Sequence, residues 1–243
     1  MIWRIIVAAI LIYIVVRRAN LAAIPAKMAY SKRDYPKAMK IFKIADKIGN
    51  LNVNNKMLLG YVCLRCGELD EARKHLRLCS TLTRHGSAER NQINNLLALV
   101  SWKEGNLSDG IEILEEIIGS GYKTTVVYQN LGIFYNLSDD KEKALKFNLE
   151  AYDYNCDDKT IADNLGELYL ILGENEKAKE VYAKLMEKEL QTPVPYYNYG
   201  RVLKALGDND GAKQRFEEAL TKRFTSVMTV TREAVQTELD SIN

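Results

Sequence analysis

The stretch "NLGELYLILGENEKA", Asn164 to Ala178, decides the fold, because it is said three times. Thirty-four residues earlier the chain reads "NLGIFYNLSDDKEKA" (Asn130 to Ala144), and thirty-four residues later "NYGRVLKALGDNDGA" (Asn198 to Ala212). Self-similarity at a fixed period of this length is the signature of a stacked array of small units.

The same ruler extends backwards. The closing alanine recurs as Ala38, Ala72, Ala144, Ala178 and Ala212, with Gly110 in the remaining slot after a four-residue insertion near Ser87, which makes six units. Twelve residues before it stands Gly60, Gly132, Gly166 or Gly200, or the small substitutes Ala26 and Ala98. Each unit reads as a helix with apolar residues at three-and-four spacing, a tight turn, and a second such helix. The small slots let the two helices approach closely. The turns "CGELDEA", "EGNLSDG", "LGENEKA" and "LGDNDGA" place Gly67, Gly105, Gly173 and Gly207 where a left-handed cap is needed. Acidic residues then open the second helix, where its dipole favours them. No unit buries its own core, so neighbours must stack.

This pattern resembles the tetratricopeptide repeat family. The family signature is legible as Leu165, Gly166, Tyr169, Ala178 and Tyr182 in the fifth repeat, as Tyr199, Gly200, Ala212, Phe216 and Ala219 in the sixth, and as Leu59, Gly60, Ala72 and Leu76 in the second. The resemblance implies an all-α fold, a right-handed superhelical solenoid of about six helix-turn-helix repeats. The repeats are expected at about 19–52, 53–86, 91–124, 125–158, 159–192 and 193–225. Residues 226–243 read as a C-terminal capping helix with Val227, Val230, Ala234 and Leu239 along one face. Three departures stand out: Pro25 and Ala26 replace Leu-Gly in the first repeat, Gly110 weakens the third, and Asn148 replaces the usual aromatic in the fourth.

The resemblance also implies a concave groove lined by the first helix of each unit. Its register puts there Asn95, Leu99 and Trp102, then Gln129, Asn130, Ile133 and Asn136, then Asp163, Asn164, Glu167 and Leu170, and finally Tyr197, Asn198, Arg201 and Lys204. Asn130, Asn164 and Asn198 repeat at the full period, and a row of amides can pair with the backbone of an extended peptide. The competing reading is that asparagine is simply common in this slot. Asp163 and Glu167 against Arg201 and Lys204 make the face acidic in one repeat and basic in the next. A Lys/Asn clamp for a chaperone's terminal carboxylate is not spelled, since only Lys27 matches it.

The chain opens "MIWRIIVAAILIYIVVRRAN", with twelve uninterrupted apolar residues from Ile5 to Val16 between Arg4 and the pair Arg17 and Arg18. The expectation is a transmembrane anchor over residues 1–18, with Trp3 at the interface and the arginines snorkelling. A cleaved export signal and an interfacial helix are the alternatives; the arginine pair sits where a cleavage region should be uncharged. Residues 17 to 56 hold ten Lys/Arg against two acids, and residues 57 to 243 hold 23 against 30. The positive-inside bias then leaves the repeats in the cytoplasm and the amino terminus outside. This basic block suits anionic lipid, and the acidic remainder excludes the footprint of a nucleic-acid binder.

No catalytic vocabulary appears: no phosphate-binding loop, no nucleophile elbow, no zinc-protease motif, and only two histidines. Cys63, Cys66 and Cys79 with His75 bring zinc to mind, but Cys63 and Cys79 fall on packed slots, so no metal or cofactor is expected. The sequence therefore reads as a non-enzymatic, membrane-anchored adaptor that binds a segment of another protein. The rivals are an exported factor of envelope assembly and a regulatory subunit of a membrane enzyme complex.

Overall fold

The computed structural model describes residues 2–49 and 51–242, and no strand occurs among them. Met1, Asn50 and Asn243, which the sequence pattern assigns to the anchor, the first repeat and the capping helix, lie outside the described residues. The chain forms two compact units, Met1–Glu104 and Gly105–Asn243.

The first unit contains α1 (Ile2–Ala22), α2 (Ile24–Ser31), α3 (Tyr35–Ile48), α4 (Val53–Arg65), α5 (Leu69–Leu82) and α6 (Ala88–Lys103). Helix α1 runs four residues past Arg18, and Ala19 near its end and Ala23 just beyond it are fully buried. It packs against α3. Pro25 sits in the first turn of α2, where a missing N–H costs nothing, so the chain passes from α1 to α2 with one short interruption. Asp34 caps α3 by accepting from the Lys37 N–H, and Asn52 and Ser87 cap α4 and α6 in the same way. Successive helices pack as antiparallel neighbours, α2 on α3, α3 on α4, α4 on α5 and α5 on α6. From Ile2 to Ser31 the helical stretch is long and apolar enough to cross a membrane, with a mean hydropathy of 2.0 in its most apolar window. A signal sequence passes the same test.

The second unit contains α7 (Leu107–Gly119), α8 (Thr125–Leu137), α9 (Lys141–Tyr154), α10 (Lys159–Ile171), α11 (Asn175–Met186), α12 (Val194–Ala205), α13 (Asn209–Leu220) and α14 (Arg232–Asp240). Helices α8, α10 and α12 lie side by side as one layer, with α10 touching both others, and α9, α11 and α13 pack against that layer. Gly173 and Gly207 close α10 and α12 at φ 76° and 83°, the left-handed conformation anticipated for the turns.

The small slot works as the sequence pattern implies. A Cβ built on Gly166 would lie 2.8 Å from Cε2 of Tyr182, and one on Gly200 would lie 2.5 Å from Cε1 of Phe216. In the first unit a Cβ on Gly60 would lie 2.8 Å from Cγ of Leu76. Each glycine is thus a socket for the side chain sixteen residues later, and Leu76, Tyr182 and Phe216 are all fully buried.

The C-terminal segment corrects the sequence reading. Its helix begins at Arg232, capped by Thr231, whose hydroxyl accepts from the Ala234 N–H. The preceding residues form turns, because Thr231 offers a cap that a helix begun at Ser226 would have to bury in its interior. Val230, Val235 and Leu239 enter the core with Phe216; Ala234 is only partly buried against it.

Candidate functional site

The layer α8, α10 and α12 carries most of the residues singled out from the register. It has two depths. The deeper one is an amide and carboxyl network that stitches helix to helix. The Asn164 amide donates to the Gln129 carbonyl at 2.8 Å, and Asn136 donates to the Asn164 carbonyl at 2.8 Å and to Glu167 at 3.3 Å. Asn198 donates to the Asp163 carboxylate at 3.3 Å, and the Tyr182 hydroxyl reaches the same oxygen at 2.9 Å. Asn136, Asp163, Asn164 and Asn198 are all buried. The members of the repeating asparagine row at 164 and 198 therefore spend their donors inside the stack, each clasping the preceding first helix.

Asn148 belongs to this layer too, although it comes from α9. It is fully buried and donates to the Gly132 and Ala144 carbonyls and to Asn136 Oδ1 at 2.9 Å. An amide thus fills the socket that an aromatic fills elsewhere. In the sequence this residue stands out only as a departure; its partner Asn136, twelve residues earlier, is the signal that could have revealed the network.

The shallower depth faces outward. Gln129, Asn130, Ile133, Glu167, Leu170, Tyr197, Arg201 and Lys204 are half-buried. Gln129 holds the Asp158 carboxylate through two contacts of 2.8 and 2.9 Å, and the Arg201 guanidinium lies 5.5 Å from the Tyr197 ring centre. Lys204 is engaged by α14, donating to Glu238 at 2.7 Å and to Ser241 at 2.8 Å. Burial, and then the Glu167 charge one turn away, push the Asp163 carboxyl up to about 7. Burial raises Glu167 as well, against the pull of its Asn136 bond and of Arg201. Asn95 and Trp102 belong to the first unit, Asn95 buried and Trp102 half-buried beside Lys103, whose ammonium sits 3.7 Å from the indole centre. Burial alone brings Lys103 down to about 8.

Two of the four cysteines, Cys63 and Cys79, behave as packing residues. Cys63 and Cys79 are buried, and loss of hydration pushes their thiols up to about 12 and about 11. Among the described residues no group of three or more His, Cys, Asp or Glu side chains is placed to hold a metal ion.

Models of the tetratricopeptide repeat match residues 161–187 and 195–221, and another of the same repeat matches 57–77. The fold is that of solved repeat proteins. A tetratricopeptide repeat protein from Parabacteroides merdae ATCC 43184 superimposes with a TM-score of 0.75 at 13% identity, over 93% of this chain and 84% of that one. The chain thus carries tetratricopeptide repeats in these three segments. TTC0263, a thermophilic repeat protein in Thermus thermophilus, aligns at 18% identity over 79% of this chain and 98% of its own, with a TM-score of 0.64. PilW, a widely conserved type IV pilus biogenesis factor, aligns at 14% identity over 93% and 98%, with a TM-score of 0.67. No curated protein matches the chain in sequence. As a tetratricopeptide repeat protein it has the architecture of a general protein–protein interaction scaffold, and such scaffolds are in general not enzymes.

Proposed function

We propose that the protein is a membrane-anchored adaptor that holds an extended segment of a partner protein on the α8–α10–α12 layer. The observation that carries this reading is the outer depth of that layer. Ile133, Glu167, Tyr197 and Arg201 put one aliphatic, one acidic, one aromatic and one basic group on three neighbouring helices, above an amide network that joins those helices. Such a surface offers side-chain contacts of alternating chemistry, and helices held together by buried amides lower the ordering cost of binding. The mechanism is holding rather than chemistry.

The anchor in this reading is α1. Its Ile5, Leu11, Ile12, Val15 and Val16 are exposed, each at 57% or more, which is costly in water and favourable in lipid. Arg17 and Arg18 then mark the cytoplasmic boundary, and tethering raises the concentration of the partner near the membrane.

The test is affinity capture from solubilised membranes, comparing the wild type with Glu167→Lys/Arg201→Glu, paired with accessibility mapping of exposed Cys156 on whole cells. One or a few proteins missing from the variant's eluate, with Cys156 reactive only to permeant reagents on whole cells, is the expected result. Unchanged eluates would move the binding surface elsewhere. Reactivity of Cys156 from outside would replace the cytoplasmic adaptor with an exported factor of envelope assembly.

A further inference from the structure

We infer that the first unit makes a second contact with the membrane, through the C-terminal turns of α3 and α5, which rest in the headgroup layer of an anionic bilayer. The inference builds on the reading of α1 as an anchor.

It starts from a second thirty-four-residue echo. Ile44 and Ile48 on α3 recur as Leu78 and Leu82 on α5, one repeat later. All four are exposed, Ile44 at 61% and Leu82 at 62%. Carried on by the same period, with the four-residue insertion, the first slot holds Glu116, Glu150, Lys184 and Glu218. Packing within a repeat therefore does not demand an aliphatic residue there. The apolar pair is confined to the two repeats nearest α1.

Position supplies the occupant. Helix α3 runs back along α2 and packs on α1. The connection after it is pinned to α1, because Asn20 Oδ1 accepts from the Asn52 N–H at 3.0 Å and from the Asn55 amide at 2.9 Å. Asn20 stands two residues beyond Arg18, about 3 Å along a helix axis. If Arg18 marks the membrane boundary, Ile48 lies at headgroup depth. Helix α5 is antiparallel to α4, which is antiparallel to α3, so Leu82 ends at the same edge.

Charge selects the kind of lipid. Residues 40–48 and 77–84 hold five Lys/Arg and one acid, Asp46, and that carboxylate is already paired with Lys56 at 3.0 Å. Exposed Lys47 and Arg84 flank the two aliphatic pairs at the edge itself. Aliphatic side chains flanked by bases at an edge are the composition of an interfacial membrane contact.

The experiment is hydrogen–deuterium exchange on the full chain in phosphatidylcholine nanodiscs with and without phosphatidylglycerol. Amides of the α3 and α5 C-terminal turns should exchange at least about five-fold more slowly in the anionic discs. Ile48→Glu/Leu82→Glu should abolish that difference while exchange in α4 and α10 stays unchanged, since both side chains are exposed and their loss leaves the fold intact. Equal exchange in the two disc types, with the chain embedded in both, overturns the inference and leaves the anchor standing. Protection that appears in detergent and grows with protein concentration overturns it in favour of a second copy of the chain. A chain that stays out of both discs refutes the anchor and this inference with it.

Discussion

Two helix pairs of the second unit solve one packing problem with opposite chemistry. In α12–α13, Gly200 receives the ring of Phe216, a fully buried hydrophobic plug beside Val235 and Leu239. In α8–α9, Gly132 receives Asn148, whose Oδ1 would lie 2.6 Å from a Cβ at that position. The pair α10–α11 stands between them, with an aromatic plug, Tyr182, whose hydroxyl reaches the Asp163 carboxylate. What a repeat requires of this slot is volume in a tight socket. Polarity is free to vary, and where it does, it is tied to the outward layer through Asn136 and Asp163.

The widest gap between the two solutions should appear on truncation. Phe216→Ala removes apolar volume that nothing nearby can refill, and should cost about 3–5 kcal/mol in urea unfolding followed by circular dichroism. Asn148→Ala should cost less, about 1–3 kcal/mol, mostly for leaving the buried Asn136 Oδ1 without its donor. Asn148→Leu sharpens the comparison, because leucine already fills this socket opposite Gly60. It should recover part of the loss caused by alanine. Were the alanine variant as costly as Phe216→Ala, the amide would be worth far more than its volume, and the equivalence of the sockets would fail.

The sockets are legible from sequence because spacing alone encodes them. A glycine or alanine and a bulky residue sixteen positions later hold their relation through every helical pair whatever the superhelix does. The asparagine row shows where that legibility stops. Periodicity places Asn164 and Asn198 correctly on the first-helix layer, but the difference between facing a groove and reaching the neighbouring helix is a fraction of a turn. Burial of Asp163 depends on a Tyr182 hydroxyl arriving from another helix, which no local pattern announces. The last helix reads too long for a different reason: Val227 and Val230 continue an apolar pattern, and the capping threonine at 231 carries its signal in one side chain. The paired Ile44, Ile48, Leu78 and Leu82 are written at the repeat period, and only their exposure gives them meaning.

The smallest expected effect concerns the intermediate case, and its sign is informative. Burial, and then Glu167, raise the Asp163 carboxyl from 3.8 to about 7. The folded state therefore holds a proton that the unfolded chain releases, and the stability this carboxyl contributes is complete below about pH 4 and drains away as pH rises towards about 7. Asp163→Asn keeps an oxygen for Tyr182 and Asn198 and cannot ionise. The variant should melt close to the wild type near pH 4, pull ahead as pH rises, and hold a constant lead above about pH 8. Glu167 remains in both proteins, so its own raised carboxyl cancels from the comparison. A lead independent of pH would mean that Asp163 is ionised throughout. The polar tip of the Tyr182 plug would then hold a buried charge beneath the α10 surface.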